Sequence, residues 1–116
     1  RNLNAKKLDL GLCLLKPNLI IPKRIDGNVE TFALYMILCK KRDKLMNYLS
    51  KKGIETKIHY PKPLHLQKAS KIYNYQLGCF PKSEKQSKEL LTLPVHQYLS
   101  ENQINFMISS IIKFYA

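Results

Sequence analysis

The stretch that most constrains this chain runs from Gly53 to Gln67 and reads Gly-Ile-Glu-Thr-Lys-Ile-His-Tyr-Pro-Lys-Pro-Leu-His-Leu-Gln. It opens on a glycine suited to stopping a helix. A short alternating strand, Ile54 to His59, follows. Pro61 and Pro63 then lock φ and remove two backbone donors, so what comes next can be neither helix nor sheet interior. The spacing predicts a stiff, extended backbone from Tyr60 to Leu64. His59, Tyr60, His65 and Gln67 all sit on this segment, and polar residues on a rigid loop past a strand end are candidates for binding. From spacing alone, His59-Tyr60 reads equally well as a ring pair covering a sheet edge.

The elements around this stretch follow from periodicity. Asn4 to Leu14 places Ala5, Leu8, Leu12 and Leu15 at helical spacing, and Lys16-Pro17-Asn18 ends it. Leu19 to Pro22 reads as a short edge or lead-in strand, and Asp26-Gly27-Asn28 as a turn. Glu30 to Cys39 is the strongest strand signal, with Phe32, Leu34, Met36 and Leu38 on one face and Ala33, Tyr35 and Ile37 on the other. A strand apolar on both faces is covered from both sides or lies at an interface. Tyr35 and Ile37 are thus expected to form apolar surface left for a larger partner, unless a second helix layer covers them.

A helix from Asp43 to Lys52 with Leu45, Met46 and Leu49 on its stripe is expected to end on Gly53 in the left-handed conformation. Lys68 to Tyr75 reads as a short helix and Gly78 as a turn. Ser83 with Gln86 has the spacing of a capping box, and Leu91 to Pro94 reads as a brief strand. Ser100 with Gln103 repeats the start signal. Ile104, Met107, Ile108, Ile111 and Ile112 then lie at i, i+3, i+4, i+7 and i+8. The expected fold is α+β: a small, mostly antiparallel sheet of three to four strands with helices on one face.

Composition narrows the function classes. At 116 residues the chain is one domain that buries roughly two-thirds of its unfolded surface. No run approaches the ~18 apolar residues of a membrane span, and no signal-peptide pattern is present, so a soluble, cytoplasmic protein is expected. The net charge of +12 invites a nucleic-acid reading. Only Arg1, Arg24 and Arg42 are arginines, however, and the lysines are scattered from Lys6 to Lys113, so a basic RNA-binding α/β domain rests on charge alone. Cys13, Cys39 and Cys79 are far apart and read as reduced structural thiols. His59 and His65 lack further ligands nearby in sequence, so no metal site is expected. No nucleophile motif, glycine-rich phosphate loop or carboxylate pair completes a catalytic site.

The segment Gly53–Gln67 resembles one found in DegT/DnrJ/StrS-type aminotransferases, pyridoxal-phosphate enzymes acting on nucleotide-linked sugars. The likeness continues upstream in Phe32-Ala33-Leu34-Tyr35 and Arg42-Asp43-Lys44-Leu45. Downstream it continues in Phe80-Pro81-Lys82-Ser83-Glu84, in Leu91-Thr92-Leu93-Pro94-Val95-His96 and in Leu99-Ser100-Glu101-Asn102-Gln103-Ile104. The resemblance implies the family's small C-terminal domain at residues 19–116. Residues 1–18 would be the tail of the interdomain helix, and the large catalytic domain would lie outside this chain. The first residue, Arg1 rather than methionine, accords with that.

No lysine stands in the family's Ser-Phe-x-x-x-Lys context, so neither a catalytic nor a cofactor-binding residue is expected here. Pyridoxal phosphate would belong to the parent enzyme and none would bind this chain alone. The family's counterpart of His59 to Gln67 borders the active-site cleft near the dimer interface and helps close the nucleotide-sugar pocket. The resemblance therefore implies substrate binding by His59, Tyr60, His65 and Gln67, with Pro61, Pro63 and Leu64 as scaffold. Lys68-Ala69 departs from the Pro-Ala of many relatives, which implies a looser loop exit. The implied partners are the nucleotide-sugar and the large domain, in a homodimer, with neither nucleic acid nor membrane. The alternative is a stand-alone binding module from a truncated or split aminotransferase gene, using the same loop without transamination.

Overall fold

The structure is a computed structural model that describes all 116 residues, Arg1–Ala116. Helix α1 spans Asn2–Leu12, strand β1 Leu19–Ile20, strand β2 Tyr35–Cys39 and helix α2 Arg42–Lys51. Helix α3 (Pro81–Glu89) runs directly into strand β3 (Leu90–Leu93), and helix α4 (Glu101–Tyr115) closes the chain. Short 3-10 turns occupy Cys13–Leu15, Leu64–Leu66 and Lys68–Tyr73. The three strands form an antiparallel sheet in the order β1-β2-β3. The α+β class expected from the sequence is the fold found.

One face of the sheet carries the core. Tyr35, Ile37 and Cys39 of β2 alternate inward; Tyr35 and Ile37 pair with Leu93 and Leu91 of β3, and Cys39 with Leu19 of β1. Over them pack Ala5, Leu8 and Leu12 of α1, Leu45 and Leu49 of α2, and Ile104, Met107 and Ile111 of α4. Tyr35 and Ile37, expected to be left open for a partner, are 0% exposed. The helix layer covers that face completely. Exposed apolar residues lie elsewhere, among them Leu3 and Leu10 of α1 and Leu14 in the turn that follows it.

Strand β2 begins five residues later than the pattern predicts. Phe32 has φ +46°, which no extended strand accommodates. The cause is Arg24, whose guanidinium lies 4.9 Å from the Phe32 ring centre and 5.4 Å from that of Tyr35. The same guanidinium pairs with both oxygens of Asp9 at 2.9 and 3.0 Å and with Glu30 at 3.2 Å. Tyr35 donates its hydroxyl to Asp9 at 2.6 Å. The Arg24-to-Phe32 stretch is thereby folded over the end of α1 rather than continuing the sheet.

Local cap signals fared unevenly. Gly53 adopts φ +77° and donates to Ser50, ending α2 as expected. Ser100 and Gln103 make the reciprocal capping box at 2.9 and 3.2 Å. Ser83 does not cap α3: the helix starts at Pro81, where a missing N–H costs nothing, so Ser83 already lies inside it. Residues 54–59 form no full strand. Only Lys57 pairs with Thr92, through bonds of 2.7 and 3.2 Å.

Candidate functional site

The face of the sheet opposite the core is where the proline segment lies. Met36, Thr92 and Lys57 are in register across it, which places their side chains on one side. His59, two residues beyond Lys57, follows the same parity. Its Nδ1 lies 2.9 Å from Thr92 Oγ1, so the ring is held by a hydroxyl from the neighbouring strand. The Tyr60 ring stands edge-on to His59 with centres 5.9 Å apart. Tyr60 is 73% exposed and its hydroxyl has no partner within the chain.

His59 is the partition between two hollows. The larger, a groove of about 660 Å³, is bounded by Leu34, Ile54, Lys57, Leu93 and His96 together with the first turns of α4. The smaller, about 290 Å³, lies between Tyr60, Lys62, Met36 and the α3 residues Ser83 and Gln86. Both expose more apolar than polar surface while many of their lining side chains are polar or charged, so each offers apolar contact together with hydrogen-bonding groups.

The other two predicted residues face elsewhere. His65 is buried, with Nε2 2.9 Å from Glu84 Oε1 and its ring 4.8 Å from that of Phe80. Gln67 donates from Nε2 to the Lys62 carbonyl at 3.4 Å, and Ser70 bonds the Leu64 carbonyl at 2.6 Å. The structure thus brings His59 and Tyr60 to the hollows and turns His65 and Gln67 into the loop's own bonding. Thr92 and Glu84, the partners that fix the two histidines, were missed as site residues. They lie 33 and 19 residues away, and no local pattern links such positions.

Pyridoxal phosphate would need an amine held for Schiff-base formation and an acid at the ring nitrogen. The lysines on the larger groove do not fit that need. Lys57 is ion-paired with Glu55 at 3.2 Å, both well exposed, and the Lys52 ammonium rests over the Tyr48 and Phe106 rings.

The DegT/DnrJ/EryC1/StrS aminotransferase family profile matches residues 1–112. A pleiotropic regulatory protein of Geobacillus stearothermophilus is 40% identical over 96 residues, covering 83% of this chain and 26% of that protein. A dTDP-3-amino-3,6-dideoxy-alpha-D-galactopyranose transaminase of Aneurinibacillus thermoaerophilus is 29% identical over 98 residues, covering 84% of this chain and 26% of the transaminase. The crystal structure of a DegT DnrJ EryC1 StrS aminotransferase from Brucella abortus superposes with a TM-score of 0.88 at 36% identity, over 99% of this chain and 30% of that one. The chain therefore spans under a third of the length of these relatives.

Proposed function

Since the chain belongs to the DegT/DnrJ/EryC1/StrS aminotransferase family, we propose that it serves as the small C-terminal domain of a nucleotide-sugar aminotransferase. In this reading residues 19–116 close one side of the substrate pocket, and residues 1–18 lead in from the larger domain. The parent supplies the Schiff-base lysine and pyridoxal phosphate, which provides the electron sink for amino transfer. It works in the cytoplasm as a homodimer.

The observation that carries the reading is the arrangement of His59 and Tyr60. Thr92 anchors His59 at the partition between the two hollows, while the Tyr60 hydroxyl remains free to bond a ligand. Sugar hydroxyls or diphosphate oxygens suit these two groups, and the flanking prolines hold them without an ordering cost at binding. His65 and Gln67 support this surface from within the loop. Support for the substrate class comes from the transaminase of Aneurinibacillus thermoaerophilus, named for a dTDP-linked amino sugar.

The test is steady-state kinetics of the full-length enzyme with the nucleotide-sugar varied. Tyr60→Phe removes one neutral hydrogen bond and keeps the ring, a loss of about 0.5–1.5 kcal/mol, or up to roughly tenfold in affinity. A contact equal in ground and transition states raises KM and leaves kcat unchanged. His59→Ala is expected to act the same way with some added loss of stability. Wild-type KM in both variants, with a lowered melting point for His59→Ala, would reduce the pair to a sheet-edge cover.

A further inference from the structure

The long segment that carries His59 and Tyr60 has almost no share in the apolar core. Between His59 and Leu90 no residue belongs to the core cluster or to the half-buried apolar residues packed against it. The only buried side chains in that stretch are His65, Glu84 and Ser87. Something polar must therefore fix its place.

Glu84 is at the centre of that polar contact. From α3 its carboxylate turns back past the helix start and accepts the Gly78 N–H at 2.8 and 3.0 Å and the Phe80 N–H at 3.2 Å. The same carboxylate meets His65 Nε2 at 2.9 Å. Burial pushes this carboxyl up, but the Gly78 N–H, His65 and the Phe80 N–H outweigh it and hold it below the usual carboxylate range. Rings complete the assembly: His65 lies 4.8 Å from Phe80, and Phe80 lies 5.0 Å from Tyr75. From α3, one side chain thus gathers the 78–80 backbone just ahead of its own helix and, through His65, the Leu64–Leu66 turn.

We propose that Glu84 is a positioning residue for the loop bearing His59 and Tyr60: through His65 it sets where Tyr60 to Gln67 stands against the sheet and α3. The link to substrate rests on the function proposed above; the anchoring itself does not. α3 in turn runs directly into β3, and Arg42, the first residue of α2, clamps that junction by donating to the Ser87 and Leu90 carbonyls at 3.1 and 3.2 Å. The chain of contacts therefore runs from the sheet through α3 and Glu84 to the loop, independently of the core.

The experiment compares wild type, Glu84→Gln and Glu84→Ala by backbone amide exchange on this chain, and by kinetics on the full-length enzyme. Gln keeps the shape but loses the charge and one acceptor oxygen; Ala removes the anchor. Expected is faster exchange, by about tenfold or more, at Leu66, Gln67, Gly78 and Phe80, with Ile37 and Leu91 unchanged. In the enzyme, KM for the nucleotide-sugar rises in the order Gln then Ala while kcat holds. Unchanged exchange at Leu66 and Gln67, or equal acceleration at Ile37 and Leu91, overturns the anchor. Selective release with unchanged KM, in an enzyme where Tyr60→Phe does raise KM, overturns the positioning role. Selective release with KM unmoved by Glu84→Ala and Tyr60→Phe alike overturns the substrate reading and leaves the anchor standing.

Discussion

Replacing Gly11 with alanine sets two known effects against each other, and the structure says which wins. Gly11 lies near the end of α1, where alanine is favoured by up to about 1 kcal/mol over glycine on helix propensity. A Cβ built there would stand 2.7 Å from both Cδ1 and Cγ2 of Ile108 and 3.1 Å from its Cγ1. The Cδ1 atom can swing aside about χ2. Cγ2 cannot, because χ1 of isoleucine in a helix has one strongly preferred well. Relief needs either an off-rotamer Ile108 or a wider gap between α1 and α4, whose Leu8, Leu12, Ile104 and Ile111 share the core. Overpacking of this kind costs about 1–3 kcal/mol.

Net destabilisation by Gly11→Ala is therefore about 0–2 kcal/mol once the full propensity gain is subtracted. Urea denaturation measures it, and a thermal melt should fall by roughly 4–8 °C per kcal/mol for a domain near this size. The control is the same substitution in an Ile108→Ala background, where the clash is gone and Gly11→Ala should be neutral or stabilising by about 0.5–1 kcal/mol. Equal effects of Gly11→Ala in both backgrounds, or a Gly11→Ala chain more stable than wild type, would refute the steric argument.

Tyr35→Phe removes the hydroxyl that donates to Asp9 at 2.6 Å while keeping the buried ring, and should cost about 1–2 kcal/mol in urea denaturation because Asp9 retains Arg24. Burial raises the Cys39 thiol from 9.0 to about 11. Above pH 9 the unfolded chain releases a proton that the folded chain keeps, so stability should fall as pH rises from 9 towards 11; a flat pH–melt profile there would contradict this. At pH 8, iodoacetamide followed by mass spectrometry should label the exposed Cys13 and Cys79 and spare Cys39. Mixing the chain with pyridoxal phosphate and reducing with borohydride should give only scattered lysine adducts, and one stoichiometric adduct would show that a Schiff-base site lies within it.

What could be read from the sequence alone was whatever is settled within about one helical turn. Gly53 needs only its own φ and the carbonyls just before it, and Ser100 needs only Gln103, so both ends were legible. The stripe of α4 was legible for the same reason, although Ile112 at its far edge is exposed. The proline segment showed where a rigid loop must begin, and its residue order carried the family likeness.

Only the tertiary structure decided which side chains meet. Strand β2 stops short because Arg24 and Asp9, 15 residues apart, gather Phe32 and Tyr35 around them. The Ile54–His59 strand shrinks to one bridge, and Thr92 holds His59 from the next strand. His65 looks like its neighbour His59 in sequence and differs from it only because Glu84 reaches back from α3 to claim it. Cap and turn energies depend on neighbours along the chain. The orientation of a polar side chain depends on which distant donor or acceptor folding brings to it, and no local periodicity encodes that.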